Sequence, residues 1–176
     1  RPGRLIPALL LCLAPLAVAS QAERPAASAP RPAATQQGMQ WVPLEDGMKR
    51  AAATGKYTFV TVYTDWCTYC RRLNQVTFRA QPVLEELRKN FQSVRVNAES
   101  ERPVVWKGKR MSEREVAVTW GVRSFPTMLF ISPKGEIIGT YSAYADPDLM
   151  VQLLTYISSG ARERKVSFDD FVEGRG

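Results

Sequence analysis

Two cysteines stand three residues apart in Asp65-Trp66-Cys67-Thr68-Tyr69-Cys70. On a helix that spacing places them one turn apart, close enough to share a disulfide or to pass one to another protein. Disulfide exchange requires a thiolate as the attacking group. The chemistry to look for is therefore dithiol–disulfide exchange, provided the fold lowers the pKa of one thiol. The same spacing also occurs in zinc sites, in c-type haem attachment and in plain structural disulfides. The chain contains no histidine, which removes mixed cysteine–histidine zinc ligation and the C-x-x-C-H haem motif. The one other cysteine, Cys12, lies in a segment expected to be removed, so all-cysteine zinc and iron–sulfur sites fail as well. No metal and no organic cofactor is expected. A structural disulfide stays open as the alternative, but closing so short a loop constrains little of the unfolded chain. The economy of two cysteines favours redox use.

The flanking sequence shows what positions them. Tyr57-Thr58-Phe59-Val60-Thr61-Val62-Tyr63 is rich in β-branched and aromatic residues and predicts a buried strand. Arg71 to Phe78 predicts a helix with Leu73, Val76 and Phe78 turned inward. Cys67 then opens the helix, where unpaired N–H groups and the helix dipole favour negative charge. Cys67 is expected to be the more exposed, attacking thiolate, and Cys70 the resolving thiol.

The rest of the chain reads as one domain behind an export signal. Arg1 and Arg4 precede an apolar run, Leu5 to Ala19, that ends in Ala17-Val18-Ala19, an A-x-A cleavage pattern. Residues 1–19 are expected to be a signal peptide, making the mature protein periplasmic or otherwise exported. The run is short for a membrane span and holds Pro7 and Pro15; an uncleaved anchor is the minority reading. Leu11 before Cys12 does not suit lipidation. Residues 20–40, dominated by Ala, Pro, Ser and Gln, are expected to form a flexible linker. Residues 41–160 suffice for a single domain, leaving residues 161–176 as a tail in which Ser167 to Val172 has the spacing of a short docking helix.

Within the domain, a helix is predicted over residues 43–55. The strand and the Cys67 helix follow, then a break at Gln81-Pro82 and a helix over Val83 to Asn90. Phe91 to Asn97 predicts a strand. A basic loop, Glu99 to Met111, leads to the capping box Ser112-Glu113-Arg114-Glu115 and a helix to about Trp120. Thr127 to Ile131 and Glu136 to Tyr141 predict a hairpin. Asp146-Pro147 opens a final helix through Ser158. This order predicts an α/β fold with a central mixed β-sheet flanked by helices.

Trp66-Cys67-Thr68-Tyr69-Cys70 resembles the active site of the thioredoxin superfamily. Ser124-Phe125-Pro126-Thr127 resembles that family's cis-proline loop. Asp65-Trp66-Cys67, Thr77-Phe78 and Trp120-Gly121-Val122 are similar to periplasmic thioredoxin-like proteins and to the C-terminal domain of membrane thiol–disulfide interchange proteins. The resemblance implies a thioredoxin fold and a thiol–disulfide oxidoreductase acting on protein disulfides. It further implies a reductant supplied by a membrane electron donor, with a disulfide oxidase or isomerase as the alternative. A non-catalytic binding or chaperone-like module is the alternative from another class. Phe125 and Pro126 are then the substrate-docking residues. Trp66 is expected to pack beside the cysteines and limit water access, and Tyr69 to add a partner-contact surface or to be merely exposed. The resemblance also places a buried acid six residues before the first cysteine and, in some relatives, seven residues after it. Those positions are Thr61 and Asn74, so no general base for Cys70 is evident beyond water or Asp65.

Charge adds little. The 24 basic against 17 acidic residues give +7, which falls to +5 once Arg1 and Arg4 leave with residues 1–19. No nucleic-acid motif accompanies this excess, and no nucleic acid is expected as partner. Arg71 and Arg72 favour a thiolate or form a solvated face. The loop carrying Arg102, Lys107, Lys109 and Arg110 suits an acidic partner or membrane surface. The protein is expected to be a monomer.

Overall fold

A computed structural model describes residues 38–175 and Gly3; the signal segment, Cys12 and most of the linker lie outside the described residues. The elements in chain order are α1 (Leu44–Thr54), β1 (Tyr57–Tyr63), α2 (Thr68–Gln75) and α3 (Gln81–Asn90). After them come β2 (Phe91–Asn97), β3 (Pro103–Trp106), β4 (Lys109–Ser112) and α4 (Glu113–Thr119). β5 (Thr127–Ile131), β6 (Ile137–Tyr141), α5 (Pro147–Ser158) and α6 (Phe168–Val172) complete the chain. The main sheet has the order β2-β1-β5-β6, with β1 parallel to β2 and antiparallel to β5, and β5 antiparallel to β6. The expected mixed sheet is therefore present.

The period of two along the central strands divides the core into two layers. Phe59, Phe91, Met128 and Phe130 point to one side, where they meet Leu73, Phe78, Val83, Leu87, Met150, Leu154 and Ile157 of α2, α3, α5 and the turn after α2. Val60, Val62, Val94, Val96, Leu129 and Ile131 point to the other, against Leu44 of α1, Trp106 of β3 and Val116 of α4. β1 and β5, covered on both faces, are buried almost throughout, which is why their sequences read as continuous apolar runs.

Contact between α1 and the sheet is close at Gly47. A Cβ there would lie 2.5 Å from Val94 Cγ2 and 3.2 Å from Val42 Cγ2. Glycine inside a helix costs about 1 kcal/mol relative to alanine, so its presence here reflects space rather than propensity. Gly47→Ala is expected to destabilise the domain by about 1 kcal/mol net, since overpacking by about 1–3 kcal/mol outweighs the helix gain. Denaturant unfolding checks this: a raised midpoint would show that Val94 yields freely.

Three local readings are corrected. α2 stops at Gln75 and a 3₁₀ turn covers Thr77–Arg79, so Phe78 is buried but Val76 is 46% exposed rather than inward. Gln81-Pro82 is no break; Pro82 sits in the first turn of α3, where its missing N–H would have no helical partner in any case. The basic loop from Glu99 is largely a hairpin, β3–β4, whose four-residue strands are too short to leave a clear alternation. It is tied to α4 by an ion pair between Arg102 and the fully buried Glu113, and by Glu113 N–H donating to Arg102 O at 3.0 Å. The hydrogen bond to Glu113 raises the arginine pKa further above its already high ordinary value. The expected capping box is formed: Glu115 N–H donates to Ser112 Oγ at 3.1 Å, and Ser112 N–H to Glu115 Oε2 at 2.7 Å.

In the tail, α6 follows a Ser167 cap and lays Phe168 and Phe171 against Tyr156 of α5, each pair 5.4 Å apart. No helix among the described residues is long and apolar enough to cross a membrane.

Candidate active site

The central strand β1 ends at Tyr63, and Thr64 to Trp66 turn the chain into α2. Cys67 is the N-cap of that helix, with extended backbone angles, and Cys70 lies in its first turn. The two sulfurs form a disulfide across a Cα–Cα distance of 5.2 Å. Cys70 N–H donates to Cys67 Sγ at 3.1 Å, so the sulfur fills the place of a capping oxygen. A hydrogen bond to an ionised acceptor is stronger than one to a neutral group. In the reduced protein this N–H and the helix dipole therefore favour the Cys67 thiolate. Exposure does not separate the two cysteines as expected, at 4% and 3%. What distinguishes them is the donor aimed at Cys67.

The Phe125–Pro126 peptide is cis. Pro126 is buried and Phe125 half-buried, immediately before β5, the neighbour of β1 in the sheet. The structure brings Phe125 to the motif through Trp66: their rings meet edge-to-face with centroids 5.9 Å apart. Trp66 itself lies largely at the surface. It is 64% exposed, so most of the indole faces solvent rather than the core. Its position is nonetheless defined, because Nε1–H donates to Glu99 Oε1 at 2.9 Å. Glu99 N–H in turn donates to Asn97 Oδ1 at 2.9 Å, and Asn97 Nδ2 to Asp65 Oδ2 at 3.3 Å. Sequence reasoning missed Asn97 and Glu99, which lie some thirty residues from the motif in the chain. The parallel register that sets Tyr63 beside Asn97 is what joins them.

On the other flank, Tyr69 is 58% exposed and tilts against Tyr144, centroids 6.3 Å apart. The Arg72 guanidinium lies over the same Tyr144 ring at 4.8 Å. Thr77 Oγ1 donates to Ala145 O at 2.7 Å and fixes this loop to the turn after α2. Arg71 is engaged rather than free in solvent, donating to Asp65 O at 3.0 Å and Thr68 Oγ1 at 3.1 Å. Each of the motif's two exposed aromatics thus meets a ring from a distant loop, Trp66 with Phe125 and Tyr69 with Tyr144.

The general-base position stays vacant of carboxylate. Thr61 is buried in β1 with its Oγ1 unpaired, and Asn74 is half-buried on α2. Asp65 is held by Asn97 at the rim.

Comparison with known proteins places this arrangement. The thioredoxin-like domain family matches residues 44–158, which takes in both the cysteine motif and the proline loop. Protein disulfide-isomerase erp38 of Neurospora crassa is 30% identical over 112 residues, or 64% of this chain. The match spans only 27% of that protein's length. A thioredoxin-fold protein from Helicobacter pylori superposes with a TM-score of 0.61 at 19% identity, covering 69% of this chain and 81% of its own. A thioredoxin from Thermus thermophilus gives 0.59 at 19%, covering 73% and 94%. These two establish the fold, and the family match spans most of the described domain. A thioredoxin fold carrying a Cys67-x-x-Cys70 pair at a helix N-terminus is the frame of a disulfide oxidoreductase, and the chain belongs to the thioredoxin-like domain family.

Proposed function

We propose that this chain is an exported thiol–disulfide oxidoreductase that reduces protein disulfides through Cys67 and Cys70. The Cys67 thiolate attacks one sulfur of a substrate disulfide, forms a mixed disulfide and releases the other substrate sulfur as a thiolate that takes up a proton. Cys70, deprotonated, then attacks Cys67 Sγ, re-forms the internal disulfide and releases the second substrate thiol. Two electrons and two protons pass to the substrate. A membrane electron donor returns the pair to the dithiol, and periplasmic proteins such as cytochrome maturation factors are the substrates in view. Phe125 and Pro126 flank the docking strand, and Trp66 offers an exposed, fixed aromatic surface beside it.

The single observation that carries this reading is the capping of Cys67 Sγ by Cys70 N–H at the start of α2, a geometry that serves a thiolate. Without a carboxylate at position 61 or 74, water takes the Cys70 proton and resolution of the mixed disulfide is the slow step. The test is direct. Prereduced protein should convert about one equivalent of a model protein disulfide to dithiol, and the Cys67→Ser, Cys70→Ser double variant none. Full function in the double variant would instead make the fold a binding module with a static disulfide. Phe125→Ala should change the rates of protein substrates; unchanged rates for every substrate would remove Phe125 from docking. The name of the Neurospora crassa relative, a disulfide-isomerase, favours as second reading an isomerase or oxidase. Export rests on residues 1–19, and an N-terminus beginning after Ala19 in the secreted protein would support it.

A further inference from the structure

Tyr69 and Arg72 are three residues apart on α2 and so share one face of the helix. Cys70 and Leu73, one position further on, share the buried face. Both exposed side chains come to rest on Tyr144: the tyrosine ring at 6.3 Å and the guanidinium at 4.8 Å. Tyr144 belongs to the segment between β6 and α5, which Thr77 anchors through Ala145 O. Arg72, two residues beyond Cys70 on α2, is thereby held by a cation–π contact. No carboxylate or carbonyl oxygen among the described residues accepts a hydrogen bond from it.

The neighbouring charges differ in this respect. Arg71 is occupied with Asp65 O and Thr68. Asp65 accepts from Asn97, Glu99 from Trp66, and Asp146 caps α5 by accepting from Leu149 N–H at 2.9 Å. A guanidinium whose carbon lies over an aromatic ring, with no oxygen accepting from it, has N–H donors left for an incoming carboxylate.

We propose that Arg72, seated on Tyr144 beside Tyr69, is a specificity subsite that takes an acidic side chain of the substrate protein, next to the cysteine being attacked. The partner is thus an extended, cysteine-bearing segment with Asp or Glu on the Tyr144 side of the disulfide. This rests on the redox reading above.

The experiment uses full-length, prereduced protein in single turnover, so that no recycling reductant is needed. Rates are measured for three peptide disulfides identical except for Glu, Ala or Lys beside the cysteine. The Glu peptide is expected to react about threefold or more faster than the Lys peptide at low ionic strength, with the difference shrinking as salt screens it. Arg72→Glu should reverse the order. Tyr144→Leu, which removes the seat but keeps the charge, should reduce the Glu-over-Lys preference, and an undiminished preference in this variant would remove Tyr144 from the subsite. Equal rates for Glu and Lys peptides, or an order unmoved by Arg72→Glu, overturn the subsite while a reactive Ala peptide upholds the redox reading. Failure to reduce any of the three overturns both.

Discussion

Cys70→Ser is expected to stop the reaction at its midpoint. The Cys67 thiolate would still attack a substrate disulfide, but nothing would displace it from the mixed disulfide that results. Non-reducing electrophoresis or intact mass should show a covalent 1:1 complex that dithiothreitol dissolves. Cys67→Ser should show none, because the hydroxyl that replaces the capping sulfur is no nucleophile toward disulfide sulfur. Multiple-turnover reduction should fall on the order of 10³-fold or more in either variant, since the two residues act as one unit and their losses do not add. The experiment also assigns the roles. The cysteines are equally buried, so the order of attack rests on the N–H of Cys70 directed at Cys67 Sγ. Complex formation by Cys67→Ser and not by Cys70→Ser would reverse that order.

Phe59→Ala carries the largest expected loss of stability. Phe59 is fully buried in β1, and its ring meets Phe78 at 5.9 Å, Phe91 at 6.5 Å and Phe130 at 5.7 Å. It therefore joins the turn after α2 to three adjacent strands, and truncation opens a cavity that all of them line. Losses of about 3–5 kcal/mol are usual for such a change. For a domain of this size the melting midpoint should drop by about 10–17 °C. Because β1 and α2 together place the cysteines, the rate of disulfide reduction should fall at temperatures where the variant begins to unfold. A loss below about 1 kcal/mol would mean that the surrounding rings close the gap.

Legibility of the chain depended on the range over which each signal acts. β1, α2, β5 and the two late helices were readable because local pattern and tertiary role agree: Asp146 and Ser112 cap the helices they precede, and the apolar runs of β1 and β5 match burial on both faces. Val76 was misread because helical spacing was extended through Thr77, where the chain tightens into a 3₁₀ turn and rotates Val76 outward. The β3–β4 hairpin escaped because Pro103-Val104-Val105-Trp106 and Lys109-Arg110-Met111-Ser112 are too short to establish a period. At the site, the cysteines and the proline loop were legible from their motifs, and their neighbours were not. The Glu99 carboxylate at the Trp66 N–H and Tyr144 under Arg72 are long-range contacts created by strand register and by the β6–α5 segment. Nothing near them in sequence announces a partner. The placing of Trp66 follows from the same cause, since its ring meets Phe125 and its N–H donates to Glu99.

The proposed direction of electron flow is most directly tested by the reduction potential of the Cys67–Cys70 pair. The full-length protein would be equilibrated with glutathione or dithiothreitol buffers and its free thiols trapped. A value near or below about −230 mV, toward thioredoxin, is the expected result for a reductant that needs an electron supply. A value of about −120 to −180 mV would contradict it and make the protein a disulfide donor or isomerase.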